Sequence, residues 1–374
     1  MGKRSGNPEA ALDLANTANR LAGLGRHDEA LDPANNAIRE YERLVEDEPA
    51  YRADLAGAYH LLATLLPEVE RPDEAVEPAQ RAVDLWEQLE KDSPEPHRAE
   101  LAASLDVLAT ALDTIGKTGK AVKAARRCVK IYEALGAKDP THAPNLASAL
   151  NHLANWLEHD GDVSEAVKVG RRSVAMWEDL AASNPEAYHY NLGSAFNNLA
   201  NHLSEVGEHE EALETARRAA DFFRLAAEDN PEAYRIYRAG SLTNIANRLR
   251  DLDRTEEAIE PASQSVELFE EYTRDDPVEF TPYLALALNN LAAVLGELDR
   301  NEEALTPARR SADLYVELAK ANPSTYREDV AMAYGNLAVL LADCGRSTEA
   351  VEAAETASKV LAGGADDAGS DGVT

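Results

Sequence analysis

Cysteine, aromatic residues and positive charge are all scarce in this sequence of 374 residues. Its two cysteines, Cys128 and Cys344, are too few for a disulfide framework, and we interpret both as reduced thiols of a cytoplasmic protein. Aromatic residues make up 6% of the chain, so its core must consist mainly of small side chains on helices that pack closely.

Acidic residues outnumber basic ones by 68 to 37, which gives a formal net charge of −31. DNA, RNA and anionic lipid are polyanions, so we expect none of them as a partner. No uninterrupted apolar run reaches the roughly 18–20 residues of a membrane span. The N-terminal MGKRSGNPEA also lacks the apolar region of a secretory signal. These features predict a cytoplasmic protein without a membrane segment.

Recognisable catalytic motifs are missing as well. The sequence has no G-x-S-x-G or H-E-x-x-H motif, and the segment TIGKTGKA at 114–121 lacks the leading Gly and the final Ser or Thr of a phosphate-binding loop. His152 and His159 would lie about 10 Å apart along a helix, too far to share one metal ion. We therefore predict no enzyme, no metal site and no cofactor.

The sequence repeats itself along most of its length. An alanine in a segment like EEA serves as the anchor of each copy, and successive anchors are 45 or 46 residues apart. A fixed period of this length indicates a solenoid, in which each repeat packs only on its neighbours. The eight anchors are Ala30, Ala75, Ala121, Ala166, Ala212, Ala258, Ala304 and Ala350.

Each copy predicts a first helix, which we call helix A. Ala stands twelve residues before every anchor and Leu nine before it, with large apolar residues sixteen and thirteen before it in nearly every copy. This spacing makes one apolar stripe on a helix. Five residues before the anchor comes Gly, or an acid such as Asp253 or Glu70. Gly and Asp tolerate the left-handed backbone that ends a helix, so helix A should end there.

A second helix, helix B, follows in each copy. Three residues before the anchor, Thr118, Thr255, Asn301 and Ser347 are predicted N-caps of helix B. Small residues four and seven after the anchor allow close helix packing, and a proline nineteen after it ends helix B in seven copies. Eleven after the anchor comes a bulky residue that should fill the joint between repeats: Tyr41, Trp86, Tyr132, Trp177, Phe223, Phe269, Tyr315 or Leu361.

This pattern of small, Leu, Gly, Ala, small and Pro over two antiparallel helices resembles the tetratricopeptide repeat family. It is most similar to the long repeats of kinesin light chain and of bacterial sensor proteins. The resemblance implies an all-α fold, a right-handed α-α superhelix of eight helix-turn-helix repeats. We place these repeats in residues 11–361, after an N-terminal lead-in of residues 1–10 and before a disordered acidic tail of residues 362–374.

Asparagine recurs on the side of helix A that points away from its apolar stripe. It is a poor helix former, so its repetition at interior helix positions needs another explanation. In the family resembled, this side lines a concave groove in which Asn binds peptides; alternatively, the amides bond to one another as a stabilising ladder. The candidate residues, fourteen and eleven before the anchors, are Asn16, Asn19, His152, Asn155, Asn198, Asn201, Asn244, Asn247, Asn290 and Asn336.

Acidic residues seven before the anchor lie on the same side of helix A. A groove of amides and acids favours a basic or neutral peptide ligand. Family members that bind the C-terminal carboxylate of a peptide combine such Asn residues with Lys and Arg on the same side of helix A. In this sequence only Arg20 and Arg248 lie near that side. The acidic residues are Glu68, Glu205, Asp251, Glu297 and Asp343.

Helix B of the third repeat reverses the usual charge. Its basic residues form a stripe that could dock an acidic partner or a second copy of the molecule, or could be a solvated cationic face. The stripe consists of Lys117, Lys120, Lys123, Arg126, Arg127 and Lys130.

The function predicted from these features is a non-catalytic scaffold that binds a protein or peptide in the Asn-lined groove. One alternative is a sensor or regulatory segment of a larger bacterial signalling protein, because bacterial repeats of this type are often fused to such proteins. Another is a structural module, monomeric or weakly self-associating through its uncapped ends.

Overall fold

The structure, a computed structural model, describes residues 6–93 and 96–368. Within these ranges the chain forms sixteen α-helices and no β-strand, with short 3-10 turns at Pro49–Tyr51, Pro72–Ala75 and Pro140–His142. The helices alternate between A and B as the period predicts, so the expected all-α fold of eight helix-turn-helix repeats is confirmed. The chain divides into two compact units of four repeats each, Met1–Ser183 and Asn184–Thr374.

The A helices are the odd-numbered ones and the B helices the even-numbered ones. The A helices are α1 (Pro8–Gly23), α3 (Arg52–Glu68), α5 (Arg98–Thr114), α7 (Ala143–His159), α9 (Pro185–Glu205), α11 (Pro231–Arg250), α13 (Pro277–Glu297) and α15 (Pro323–Asp343). The B helices are α2 (His27–Asp47), α4 (Val76–Asp92), α6 (Thr118–Gly136), α8 (Val163–Ser183), α10 (His209–Asp229), α12 (Thr255–Asp275), α14 (Asn301–Ala321) and α16 (Ser347–Ala368).

In the turn from helix A to helix B, the residue five before the anchor has the predicted left-handed backbone conformation. In the three repeats that lack glycine there, Glu70, Asp253 and Asp299 have φ angles of 59°, 57° and 57°. An L-residue pays a steric cost in this conformation, so the turn geometry is imposed by the packing of the two helices. The turn is therefore the same in all eight repeats, whether or not glycine is available.

The predicted N-caps of helix B are wrong by one position. Thr118, Thr255 and Asn301 are the first helical residues, and the capping position before each is a Lys or Arg whose side chain makes no capping hydrogen bond. Instead, an arginine four before the anchor bonds the glutamate one before it, at 2.6–2.8 Å from Nε. These N-terminal Arg–Glu pairs are Arg26–Glu29, Arg71–Glu74, Arg254–Glu257, Arg300–Glu303 and Arg346–Glu349.

The core of each repeat lies where helix A and helix B approach through small residues. The first seven anchor alanines are fully buried, at 0% exposure. Seven residues after the anchor, the hydroxyls of Ser173, Ser265 and Ser311 donate to carbonyls of the preceding helix A at 2.7–3.0 Å. A small side chain permits this contact, and the hydroxyl keeps its hydrogen bond although it is buried.

The bulky residues eleven after the anchor fill the joints between repeats, with one exception. The first seven are buried at 3–5% exposure, as predicted, whereas Leu361 is 54% exposed. The prediction for Leu361 is wrong because the described part of the chain provides no further helix A to cover it.

The predicted terminal segments differ from the helix bounds. Helix α1 begins at Pro8, inside the predicted lead-in, and α16 continues to Ala368, seven residues into the predicted tail. No proline interrupts that stretch, so helix can continue through it. Residues 1–5 and 369–374 lie outside the described residues.

One described helix, α13, is long and apolar enough to cross a membrane by length and composition alone. Half of its most apolar window is buried inside the structure, and the core helix of a repeat fold passes the same test. The sequence alone did not predict this, because polar Asn289 and Asn290 interrupt the apolar run.

Tyr315 and Leu361 occupy equivalent positions and should respond differently to truncation. Tyr315→Ala should lower the free energy of unfolding by about 3–5 kcal/mol, because it leaves a cavity in a closed joint. Leu361→Ala should change it by less than about 0.5 kcal/mol, because Leu361 is already exposed. Guanidinium unfolding followed by circular dichroism measures both changes, and equal losses would contradict this description of the joint.

Candidate functional site

In each unit the A helices lie side by side and leave one side open. Helix α3 contacts α5, and α11 contacts α13. Residues 21, 18, 14, 11 and 7 before the anchor recur at helical spacing on this open side, which we call the A face. In α11 these residues are Tyr237, Gly240, Asn244, Asn247 and Asp251, and none of them is buried.

All ten predicted site residues lie on the A face and none is buried. The four in the first unit are Asn16, Asn19, His152 and Asn155. The six in the second unit are Asn198, Asn201, Asn244, Asn247, Asn290 and Asn336.

Some of these side chains form a ladder between successive A helices. Asn244 Nδ2 donates to Asn197 Oδ1 at 2.6 Å, and Asn336 Nδ2 donates to Asn289 Oδ1 at 3.0 Å. His152 Nδ1 lies 2.9 Å from Asp106 Oδ2 in the same arrangement. The residue fourteen before one anchor thus bonds to the residue fifteen before the previous anchor.

Sequence reasoning missed the second row of this ladder. A polar residue stands fifteen before the anchor in six of the eight repeats, and this period was the signal that could have revealed it. The row consists of His60, Asp106, Asn151, Asn197, Thr243 and Asn289.

Other amides of the A face have no bond within the described chain. Asn16, Asn155, Asn201 and Asn290 make no side-chain hydrogen bond to any described residue. An amide with both its N–H donors and its carbonyl acceptor unused can bind the backbone of another chain. The A face therefore combines a partial ladder, which one alternative predicted, with available amides, for which peptide binding stays a prediction.

The acidic row lies at the C-terminal end of the A helices. Asp251 accepts a hydrogen bond from Ser204 of the previous helix A at 2.6 Å, and Glu297 pairs with Arg250. Glu68, Glu205 and Asp343 are exposed. The acids at this edge therefore divide between links to neighbouring helices and charges that face solvent.

Aromatic residues occupy the opposite edge of the A face in the second unit. Tyr237 is 39% exposed and Tyr283 is 37% exposed, although tyrosine side chains gain from burial. The ring of Tyr237 stacks on Phe223 with centroids 5.5 Å apart, and Tyr283 stacks on Phe269 at 5.7 Å. Their buried partners hold the two rings in place, so each presents a fixed apolar surface.

A cavity of about 330 Å³ opens between these rings and the amides, and we call it the Gly240 pocket. Its walls include Tyr237, Tyr283, Leu286 and the amide residue Asn198. Gly240 lies on its floor inside α11, and a Cβ added there would meet no atom within 4 Å. Glycine inside a helix costs about 1 kcal/mol relative to alanine. Helix packing does not require it, and its absent side chain keeps the pocket open.

The predicted basic stripe lies on α6, away from the A face. Arg126 bonds Glu165 at 2.6 and 2.7 Å, and Arg127 pairs with Glu87 at 2.5 Å. These two arginines thus link neighbouring B helices. The exposed side chains of the other four residues form no ion pair with a described residue: Lys117, Lys120, Lys123 and Lys130.

The histidines and cysteines offer no evident chemistry. His159 Nδ1 lies 2.7 Å from Asp113, so His152 and His159 each face a separate carboxylate. Within the described ranges no group of three or more His, Cys, Asp and Glu side chains could hold a metal ion. Cys128 is fully buried, and burial raises the pKa of its thiol far above the ordinary value. A thiol in this state is a poor nucleophile.

The contact between His152 and Asp106 makes the stability of the first unit depend on pH. Burial lowers the pKa of His152, but the hydrogen bond and the attraction of the Asp106 carboxylate outweigh it, and the net pKa lies above its ordinary value. The charged histidine therefore stabilises the fold. Its contribution is complete below the unfolded pKa of about 6.5 and is lost as pH rises through the folded value.

Replacing His152 by Asn, the residue usual at this position, should remove that dependence. The amide can still donate to Asp106, but it does not titrate in this range. Because the His152 side chain is 42% exposed, we expect wild type to gain at most about 1 kcal/mol over His152→Asn between pH 8 and pH 6. Urea unfolding at both pH values measures the difference, and a constant difference would contradict the assignment.

Parts of this chain are similar to known repeat proteins. Models of the tetratricopeptide repeat match residues 145–225 and 284–323. No curated protein matches the chain by sequence. Among solved structures, BtubC (BKLC) from P. vanneervenii is 19% identical over 69% of this chain and 93% of its own, with a TM-score of 0.51.

Two further structures are similar over 96% of this chain. The Signal Transduction ATPase with Numerous Domains (STAND) protein with a tetratricopeptide repeat sensor, from Pyrococcus horikoshii, is 15% identical, with a TM-score of 0.57 and 51% of its own length covered. The Rap conjugation gene regulator of plasmid pLS20, solved in complex with the Phr* peptide, is 13% identical, with a TM-score of 0.52 and 96% covered. At these identities the likeness establishes the fold alone.

The helix pairs recur at 45 or 46 residues, and repeat models match parts of both units. Residues 145–225 and 284–323 therefore match tetratricopeptide repeats, and the other helix pairs share their period and helix order.

Proposed function

We propose that the chain is a non-catalytic scaffold that binds a peptide segment on the A face of the unit Asn184–Thr374. One observation carries the proposal: available amides and an open apolar pocket occur together on the same exposed face. The available amides make no hydrogen bond to the described chain, and helix packing does not require the glycine that keeps the pocket open. The pattern is that of a ligand site, in which a few polar groups orient a ligand and an apolar hollow takes up part of it.

The amides suit the backbone of the ligand. Neighbouring helices pack about 8–10 Å apart, and an extended peptide advances about 3.4 Å per residue. Each repeat would therefore contact about three residues of the ligand. Asn201 and Asn290 can each donate and accept a backbone hydrogen bond. Recognition of this kind is independent of the ligand's sequence and provides affinity more than specificity.

The two edges of the A face supply the specificity. The Gly240 pocket would take up one bulky apolar side chain of the ligand. The acids at the other edge, such as Glu205, favour Lys or Arg and disfavour acidic residues. The expected ligand is therefore a basic or neutral peptide with an apolar anchor residue.

Similar structures support a peptide-binding role at the level of the fold. The pLS20 regulator was solved with a peptide bound, and it covers the length of this chain. The STAND protein favours a second candidate, a sensor segment of a larger signalling protein, because this chain spans about half of that protein. The two candidates are compatible, because a sensor could detect a peptide. We also propose a cytoplasmic location, because both cysteines are free and one is buried.

A displayed library of random peptides, selected on the full chain, tests the proposed function. We expect selected peptides to be rich in Lys, Arg and one bulky apolar residue, and to bind the chain measurably in isothermal titration. Acidic peptides as the strongest binders, or a selection without enrichment, would contradict the proposal.

Replacing two available amides should separate binding from stability. Asn201→Ala together with Asn290→Ala should weaken a selected peptide about ten-fold, because two hydrogen bonds are lost at about 0.5–1.5 kcal/mol each. The free energy of unfolding should not fall, because neither amide bonds to the described chain.

Asn336→Ala is the matched control, because its amide belongs to the ladder. It should lower the free energy of unfolding by about 1 kcal/mol. If the double variant binds the peptide as well as wild type does, the amides do not contact the ligand.

Two substitutions of Gly240 should distinguish its effect on the free energy of unfolding from its effect on peptide affinity. Gly240→Ala should raise the free energy of unfolding by up to about 1 kcal/mol, because alanine is the better helix former. Gly240→Leu should fill the pocket and weaken a selected peptide by ten-fold or more without loss of stability.

Gly335→Leu provides the control, since Gly335 is another interior helix glycine with open space around it, outside the Gly240 pocket. It should leave peptide affinity nearly unchanged. Equal effects of the two leucine substitutions would rule out the pocket as the anchor site.

A further inference from the structure

A second open surface lies between α4 and α6 in the first unit, on the side opposite the A face. It is a groove of about 980 Å³, and its floor is formed by the apolar stripe of α5, including Leu105, Leu108 and Leu112. The two walls carry opposite charge. One wall, formed by α4 and the 3-10 turn before it, carries Asp73, Glu74, Glu77, Arg81 and Asp84. The other wall, formed by α6 and the residue before it, carries Lys117, Lys120, Lys123 and Arg127.

The basic wall exists because the third repeat has two lysines at the N-terminus of helix B, at positions where no other repeat has lysine. Five repeats have the N-terminal Arg–Glu pair, whereas the third has Lys117 and Lys120 at these two positions. Positive charges at the N-terminus of a helix oppose the helix dipole, and the stabilising Arg–Glu pair is lost as well. The lysines therefore do not serve the fold of the repeat, which points to a contact outside it.

The two walls do not neutralise each other. Lys117, Lys120 and Lys123 have no carboxylate of the described chain within ion-pair distance. On the other wall, Asp73 likewise has no described partner, and Glu77 reaches Arg81 only at 4.0 Å. At the end of the groove Arg127 pairs with Glu87. The middle of the groove thus keeps two separated rows of opposite sign above an apolar floor.

Two parallel rows of opposite charge are complementary to a second copy of the same surface. A two-fold axis parallel to the groove places the acidic row of each copy opposite the basic row of the other. An isologous contact of this kind closes after two copies and is the most common arrangement in soluble oligomers. We propose that the α4–α6 groove is a dimer contact between two copies of this chain.

The fraction of dimer should depend on the salt concentration. The net charge of −31 repels a second copy over long range, but at about 0.15 M salt charges beyond roughly 8 Å are screened. Close contacts between the rows persist under these conditions and weaken at about 1 M salt, where the screening length is about 3 Å. Dimers should therefore be most abundant near physiological salt and should dissociate at high salt.

A charge-exchange experiment tests the proposal on the full chain by sedimentation velocity at about 0.15 M salt. The basic-row variant carries Lys117→Glu, Lys120→Glu and Lys123→Glu. The acidic-row variant carries Asp73→Lys, Glu77→Lys and Asp84→Lys. Each variant alone should be monomeric, because like rows then face each other, and an equimolar mixture of the two should restore the dimer.

A matched control has the same change in net charge as the basic-row variant, but at lysines outside both the groove and the basic stripe: Lys91→Glu, Lys168→Glu and Lys320→Glu. This control should dimerise like wild type, with circular dichroism confirming that every variant is folded. A wild-type chain that stays monomeric overturns the proposal, as does a dimer that persists in both row variants. Persistence would instead indicate contact through the exposed terminal residues, such as Leu12 and Leu361. An equimolar mixture of the two row variants that remains monomeric also overturns the proposal.

Discussion

Close contact between helix A and helix B through buried alanine is the constraint on which the rest of this structure depends. At the anchor positions the first seven alanines have no exposed surface, so that a larger side chain would push the two helices apart. Every repeat must meet this constraint at the same places, and the period of the sequence follows from it. The aromatic residue eleven positions later then fills the joint that the paired helices leave open.

Positions outside these contacts are free to differ between repeats, and the molecule uses that freedom on two surfaces. On the A face of the second unit, Gly240 and the rings of Tyr237 and Tyr283 create a hollow that repeat packing does not need. On the B helices of the first unit, Lys120 replaces the glutamate of the N-terminal pair. Both features weaken local structure slightly, so both are best explained by contacts with other molecules.

Much of the fold can be predicted from the sequence because eight copies of the repeat give the same signal at equivalent positions. The left-handed turn at Glu70, just after the end of α3, is predictable in this way, since the seven other repeats have Gly or Asp at the same place. Features that depend on one neighbour are not predictable. The ladder between Asn244 and Asn197 requires the register between two helices, and the exposure of Leu361 depends on what covers it. The Gly240 pocket combines residues of several helices, and no single repeat contains its pattern.

The ladder is built from different chemistry in the two units. In the first unit its members include His60, which lies 3.1 Å from Ser104, and His152, which contacts Asp106. In the second unit asparagines take these roles. Imidazole changes its charge near neutral pH, whereas an amide does not. Mild acidification would thus favour the charged form of His152 and strengthen its contact with Asp106 in one half of the molecule. The bonds between asparagines in the half that carries the Gly240 pocket contain no group that titrates in this range.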